Sequence, residues 1–191
     1  AAYTWHDPGV AKQGRVLVDD RLTGIWEPAG RLLDTERYGD FSAYSLAAMV
    51  ENLSRHFSVT VNATHEYNRA YLDQFDVFIL KTPEHALSDT EIRAIQSWVL
   101  AGGGLFAISD HTDLMGMSTH LNALVRQFGI EFQFDATANV QHGGFDYWYD
   151  PVLGEHPISD GLGPFELMTP CSTRISKGAR AVLTVEHSMA T

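Results

Sequence analysis

Ser88-Asp89-Thr90-Glu91, then Ile92, Ile95, Trp98 and Val99 at helical spacing, then Gly102-Gly103-Gly104 and Leu105-Phe106-Ala107-Ile108, decide the fold. Ser88 with Glu91 three residues on is a capping box, so a helix starts here. Ile92, Ile95, Trp98 and Val99 give it one apolar face. The glycines stop it, because glycine enters the left-handed conformation at little cost. The apolar run that follows reads as a buried strand. As a phosphate cradle the glycine run is misplaced: it precedes a strand instead of opening a helix.

The same grammar extends upstream. Asp76 to Leu80 has no polar alternation and reads as a strand buried on both faces, the pattern of a parallel sheet. Ser58 to Val61 is a β-branched strand, and Arg15 to Asp20 is a buried strand ending in acids. Ser42 caps a helix carrying Leu46, Met49, Val50, Leu53 and Phe57, and Tyr71, Leu72 and Phe75 mark a short helical turn. Residues 21–40 form a long loop, uncommon unless it covers something. Downstream, Ser118 caps a helix with Leu121, Leu124, Val125 and Phe128 on one face and Gly129 as its stop. Ile130 to Phe134 alternates and suits a sheet edge, and Ala181 to Val185 is the last strand. Strands alternating with amphipathic helices imply right-handed βαβ units. The expectation is an α/β fold, a three-layer α/β/α sandwich with a mainly parallel, flavodoxin-like sheet, forming one domain over residues 1–191.

Composition narrows the function classes. Of the 191 residues 45% are hydrophobic, enough for a core, and the formal net charge is −11. Such a surface repels phosphate backbones and anionic membranes, so nucleic acid is not the expected partner. Cys171 is the single cysteine, which excludes an internal disulfide and a thiolate zinc site; a buried structural thiol is the reading. No apolar run spans a bilayer. The chain starts at Ala1 without methionine and ends at Thr191 just after an apparent strand. This suggests a domain excised from a longer protein, one that could be membrane-anchored, with an extracytoplasmic location slightly favoured over a cytoplasmic one.

In parallel sheets ligands bind outside the carboxyl ends of the strands. That rule selects Asp19 and Asp20, the segment from Lys81 to His85, and Ser109-Asp110-His111-Thr112-Asp113. Three readings of the last segment stand together. Ser109 could be a nucleophile with Asp110 and His111, although the bulky His111 does not suit a strained serine elbow. Asp110, His111 and Asp113 could ligate a divalent metal, helped by Asp19, Asp20, His120 or His142. The favoured reading is that these groups cap the following turn. Asp19 and Asp20 could likewise hold a ribose hydroxyl or a metal, or simply terminate a strand. Phe145-Asp146-Tyr147-Trp148-Tyr149 places aromatics in a glycine- and proline-rich loop, where they could stack on a sugar or a partner chain or form a lid. Trp26 and Glu27 could join that surface.

Residues 87–91, 98–99 and 102–108, with Glu155-His156-Pro157-Ile158-Ser159-Asp160-Gly161-Leu162 later, resemble the class I glutamine amidotransferase-like superfamily. The nearest branch is the ThuA-like, DUF4350-like and gliding-motility-type one. In that superfamily a cysteine nucleophile stands at the turn where this chain has Ser109. Cys171 lies far downstream and cannot substitute by position, so the resemblance implies no glutaminase activity. It implies a domain that binds a small polar ligand, carbohydrate among the candidates, or a partner protein at the strand ends. The ligand-binding residues would be Asp19, Asp20, Trp26, Glu27, Tyr147 and Trp148. The alternatives are a metal-assisted hydrolase using Asp110, His111 and Asp113, for which a divalent metal is the cofactor, and a structural module of a membrane-associated protein.

Overall fold

The computed structural model describes residues 12–23, 29, 46–140, 148–149, 151–163, 165–176, 178–185 and 188–190. The chain divides into two compact units, Ala1–Ile108 and Ser109–Thr191.

In the first unit β1 (Arg15–Asp19), β2 (Ser58–Asn62), β3 (Val77–Lys81) and β4 (Gly104–Ile108) form a parallel sheet in the order β2-β1-β3-β4. The two central strands carry the core: Leu17, Val18, Phe78 and Leu80 are fully buried. Each such side chain contributes about 1.5–3 kcal/mol relative to exposure. Successive residues point to opposite faces. On one face Val16, Val18 and Ile79 gather Leu46, Met49, Val50 and Leu53 from helix α1 (Ala47–Ser54) and its entry. On the other, the Tyr67 ring packs against Phe78 with centroids 4.6 Å apart. At the start of the sheet Asp76 accepts from the Arg15 guanidinium at 2.7 and 3.1 Å and from its backbone N–H at 2.8 Å. Those hydrogen bonds hold the Asp76 carboxyl down at about 2.

Helix α2 (Arg69–Leu72) is capped by Asn68, whose side chain accepts from the Tyr71 N–H. The expected capping box opens α3 (Asp89–Leu100) in full: Ser88 Oγ accepts from the Glu91 N–H at 3.3 Å, and Glu91 accepts from the Ser88 N–H at 3.0 Å. Ser42, expected to cap α1, lies outside the described residues. Two expectations change here. β4 is only half-buried, with Phe106 54% exposed, and it ends the sheet's strand order. The three glycines do not share one role: Gly102 takes the left-handed turn, Gly103 passes against Trp98, and Gly104 already belongs to β4.

The second unit holds α4 (Met117–Val125) and four two-stranded antiparallel pairings. Ser118 does not cap α4. Gly116 sits at the N-cap, and the Asp113 carboxylate accepts from the Thr119 N–H at 2.8 Å. Gly129 ends the helical stretch in the left-handed conformation as expected. The expected fifth strand is β5 (Ile130–Phe132), and its partner is β10 (Thr173–Ile175), antiparallel. Alternation reports one-sided burial and says nothing of the partner's direction. Asn122 pins β5 with two hydrogen bonds of 2.8 Å to the Phe132 backbone. The other pairs are β6 (Thr137–Asn139) with β12 (Ser188–Ala190), β7 (Trp148–Tyr149) with β9 (Leu167–Met168), and β8 (Val152–Leu153) with β11 (Leu183–Thr184). The fold is thus α/β, with a four-stranded parallel sheet and small antiparallel sheets beside it in sequence.

Candidate functional site

The carboxyl ends of β1, β2 and β3 carry a buried polar layer of Asp19, Thr23, Asn62, Lys81 and Thr82. Burying a carboxylate is costly unless its oxygens are satisfied, and those of Asp19 are. Its Oδ1 accepts from the Tyr67 hydroxyl. Its Oδ2 accepts from the Leu22 N–H at 3.0 Å and from the Thr23 hydroxyl at 3.3 Å. Desolvation still outweighs those bonds, and the Asp19 pKa is raised. Burial beside Asp19 also raises that of the Tyr67 phenol.

Glu91 is the second hub. It accepts from the Tyr67 N–H at 3.1 Å and the Ser88 hydroxyl at 2.9 Å, and it pairs with Arg21. Arg21 in turn lies over the Tyr67 ring at 4.9 Å. Desolvation pushes the Glu91 pKa up, and the hydrogen bonds with Arg21's charge more than offset it, so the net shift is downward. Asp20 accepts from the Ala29 N–H at 2.6 Å. Asn62 closes its own turn, bonding the Thr64 and His65 N–H groups and the His65 carbonyl. This end of the sheet is cross-braced internally, and the carboxylate oxygens of Asp19 are spent. Sequence reading found Asp19 and Asp20 and missed Tyr67, which no local pattern announces. Glu91 was legible as a cap and not as a hub.

In the second unit, Ser109 Oγ and Ser118 Oγ share a hydrogen bond of 2.7 Å. Asp110 accepts from the His111 N–H at 2.7 Å, and His111 Nδ1 lies 2.9 Å from the Thr112 hydroxyl. Both Asp113 oxygens go to Thr119, the hydroxyl at 2.7 Å. Thr112, Asp113 and Met115 all adopt left-handed backbone conformations, at a cost on the order of 1 kcal/mol each. Ser109 therefore meets a serine and not a base, and the serine's neighbours serve the turn. Among the described residues no group of three or more His, Cys, Asp and Glu is arranged to hold a metal ion. His142 lies outside the described residues.

Cys171 is folded back beside this turn despite its distance in sequence. Its thiol is hydrogen bonded to Ser118 and sits in the field of Asp135 and Asp110. Burial first and Asp135 second push its pKa up to about 11. A thiol at that value stays protonated at neutral pH and is a poor nucleophile. Asp135 is itself held by the Ser172 N–H at 2.7 Å, and its carbonyl accepts from the Thr112 N–H at 2.9 Å.

Trp26, Glu27 and Tyr147 lie outside the described residues. Trp148 pairs in register with Met168 across β7 and β9. Asp19 and Asp20 belong to the first unit, and Ser109, Asp110, His111, Asp113 and Trp148 to the second. Exposed apolar side chains mark the second unit. Eleven large hydrophobics are exposed among the described residues, and only Leu100 and Phe106 of them lie in the first unit.

A family model described as the IFT52 GIFT domain matches residues 34–181. Among solved structures, one described as the mmIFT52 N-terminal domain superposes with a TM-score of 0.66 at 15% identity, over 88% of this chain and 72% of that one. At that identity the likeness concerns the fold. No curated protein matches the chain significantly. These findings overturn the glutamine amidotransferase-like assignment with its ThuA-like and DUF4350-like branch. The small-polar-ligand or carbohydrate domain and the metal-assisted hydrolase fall with it. The internally bonded groups at Asp19, Ser109 and Asp113 give the physical reason. The extracytoplasmic location is corrected too, since IFT52 is an intraflagellar transport protein. Neither match supports a membrane-anchored parent, and among the described residues no helix is long and apolar enough to cross a membrane.

Proposed function

This chain belongs to the IFT52 GIFT domain family, and from that premise we propose that it is a protein-interaction domain of an intraflagellar transport assembly. The observation that carries the reading is the apolar surface of the second unit, where Ile158 is 73% and Leu162 52% exposed. The two side chains sit four residues apart at one turn, and clustered apolar surface left in water marks a partner-binding face. The turn from Ser109 to Asp113 then has a structural task, presenting α4 through the Asp113–Thr119 bonds.

Two features of architecture go with this reading. The order β2-β1-β3-β4 is the start of the doubly wound order 2-1-3-4-5, which supports a three-layer, flavodoxin-like sandwich. The family match runs across the boundary between the two units, which supports one domain over residues 1–191. Proximity labelling tests the functional reading. The chain fused to a biotin ligase in ciliated cells is expected to enrich intraflagellar transport subunits over an unrelated fusion of equal net charge. Equal labelling by the two fusions rejects the assignment.

A further inference from the structure

From Gln127 to Thr173 the sequence contains no lysine and no arginine, while seven aspartates and glutamates fall in the same stretch. At its centre, residues 153–161 enclose an open depression of about 540 Å³ whose lining includes Leu153, Glu155, His156, Pro157 and Asp160. Ile158 and Leu162 stand exposed at this turn, and Val152 on β8 is 44% exposed. Glu155 and Asp160 are exposed as well. Among the described residues neither carboxylate forms an ion pair, and Arg180 donates to the Glu155 backbone carbonyl at 3.1 Å instead. The turn is built firmly. Ser159 Oγ donates to the Gly154 carbonyl at 2.6 Å, His156 Nδ1 accepts from the Ile158 N–H at 3.2 Å, and the Gly154 N–H donates to the Val182 carbonyl at 2.7 Å. Such a surface loses little entropy on binding.

We propose that this face docks a basic amphipathic segment of a partner protein, one carrying lysines or arginines beside an apolar stripe. The proposal rests on the protein-interaction reading above and deepens it. Charge decides the occupant. Apolar side chains alone would accept any greasy surface. With the Glu155 and Asp160 carboxylates exposed beside them, no lysine or arginine between Gln127 and Thr173, and the Arg180 guanidinium engaged on the Glu155 backbone carbonyl, they discriminate for cationic partners and against a second copy of this chain, an anionic membrane or a nucleic acid.

The test uses the purified chain and a fluorescent Leu/Lys amphipathic helical peptide, with a Leu/Glu peptide of the same spacing beside it. The Leu/Lys peptide is expected to bind and the Leu/Glu peptide not to. Glu155→Lys with Asp160→Lys, and separately Ile158→Ser with Leu162→Ser, each weaken binding about tenfold. Glu51→Lys with Glu66→Lys makes the same charge change on exposed acids of the first unit and weakens it less than about threefold. All these positions are on the surface, so circular dichroism should match across the set. Equal weakening by the two charge-reversed pairs overturns the proposal in favour of net charge alone. Equal binding of both peptides, self-association of the parent chain at pH 7 that the Ile158→Ser with Leu162→Ser variant loses, or binding to anionic vesicles overturns it in favour of another occupant. If proximity labelling succeeds while the face variants bind like the parent, only this face falls. If labelling fails while the peptide pattern holds, only the transport assignment falls.

Discussion

Tyr67 joins two chemistries at one side chain. Its ring packs on Phe78, its hydroxyl donates to Asp19, and its N–H donates to Glu91. Removing the hydroxyl leaves a buried carboxylate short of a donor, at a cost of about 1–3 kcal/mol. Tyr67→Phe should therefore lower the unfolding free energy by that amount in urea titrations. The effect has a pH signature. Asp19 has a raised folded-state pKa, so its contribution to stability is full below its unfolded value and is lost as pH rises through the folded one. The lost Tyr67 bond favoured the ionised form, so the variant's deficit widens as Asp19 ionises. A deficit that stays flat from pH 4 upward would mean that Asp19 does not titrate in the fold. Little of this was legible in the sequence. Asp19 stands out as an acid ending an apolar run, but Tyr67 lies 48 residues away in a segment with no periodicity. Only the sheet order brings the two together.

Elements were more legible than contacts, for a physical reason. Caps, glycine stops and apolar runs act within a few residues, so Ser88, Glu91 and Ile95 announce α3 and Val77 to Leu80 announce β3. Strand direction and position in the sheet are long-range properties. The apolar run of β4 hid an edge, and the alternation of β5 hid an antiparallel partner. The glycine run shows the boundary. Its helix-stop role was readable, and the demand on Gly103 was not: a Cβ there would lie 2.3 Å from the Trp98 ring, whose side chain is buried. Trp98 has no free volume to retreat into, so a methyl group forces a shift in a packed core. Gly103→Ala should cost about 1–3 kcal/mol and lower the melting temperature. Gly161→Ala, with open space around its position, carries only the strain of its left-handed backbone. An unchanged melting temperature in Gly103→Ala would show that the Trp98 ring yields without cost, since Gly103 has no left-handed backbone to strain.

At the scale of the molecule, exposed apolar surface and strong negative charge oppose each other. Side chains such as Ile158 and Leu162 favour association, while a formal charge of −11 at pH 7 keeps copies of the chain apart. Their balance moves with pH, because the chain is near neutral at about pH 5.1. Net charge near zero removes the repulsion and leaves the apolar surface to act. Light scattering should therefore stay low at pH 7 and rise toward pH 5 with the parent chain. Ile158→Ser with Leu162→Ser should blunt that rise without moving its midpoint, since the substitution changes no charge. A rise of unchanged height in the variant would place the sticky surface elsewhere, and a rise at pH 7 on adding salt alone would show that screening suffices without neutralisation. The same opposition explains how such a face can be kept open in the cell. Repulsion between like-charged copies guards it, and a cationic partner lifts that repulsion in the act of covering it.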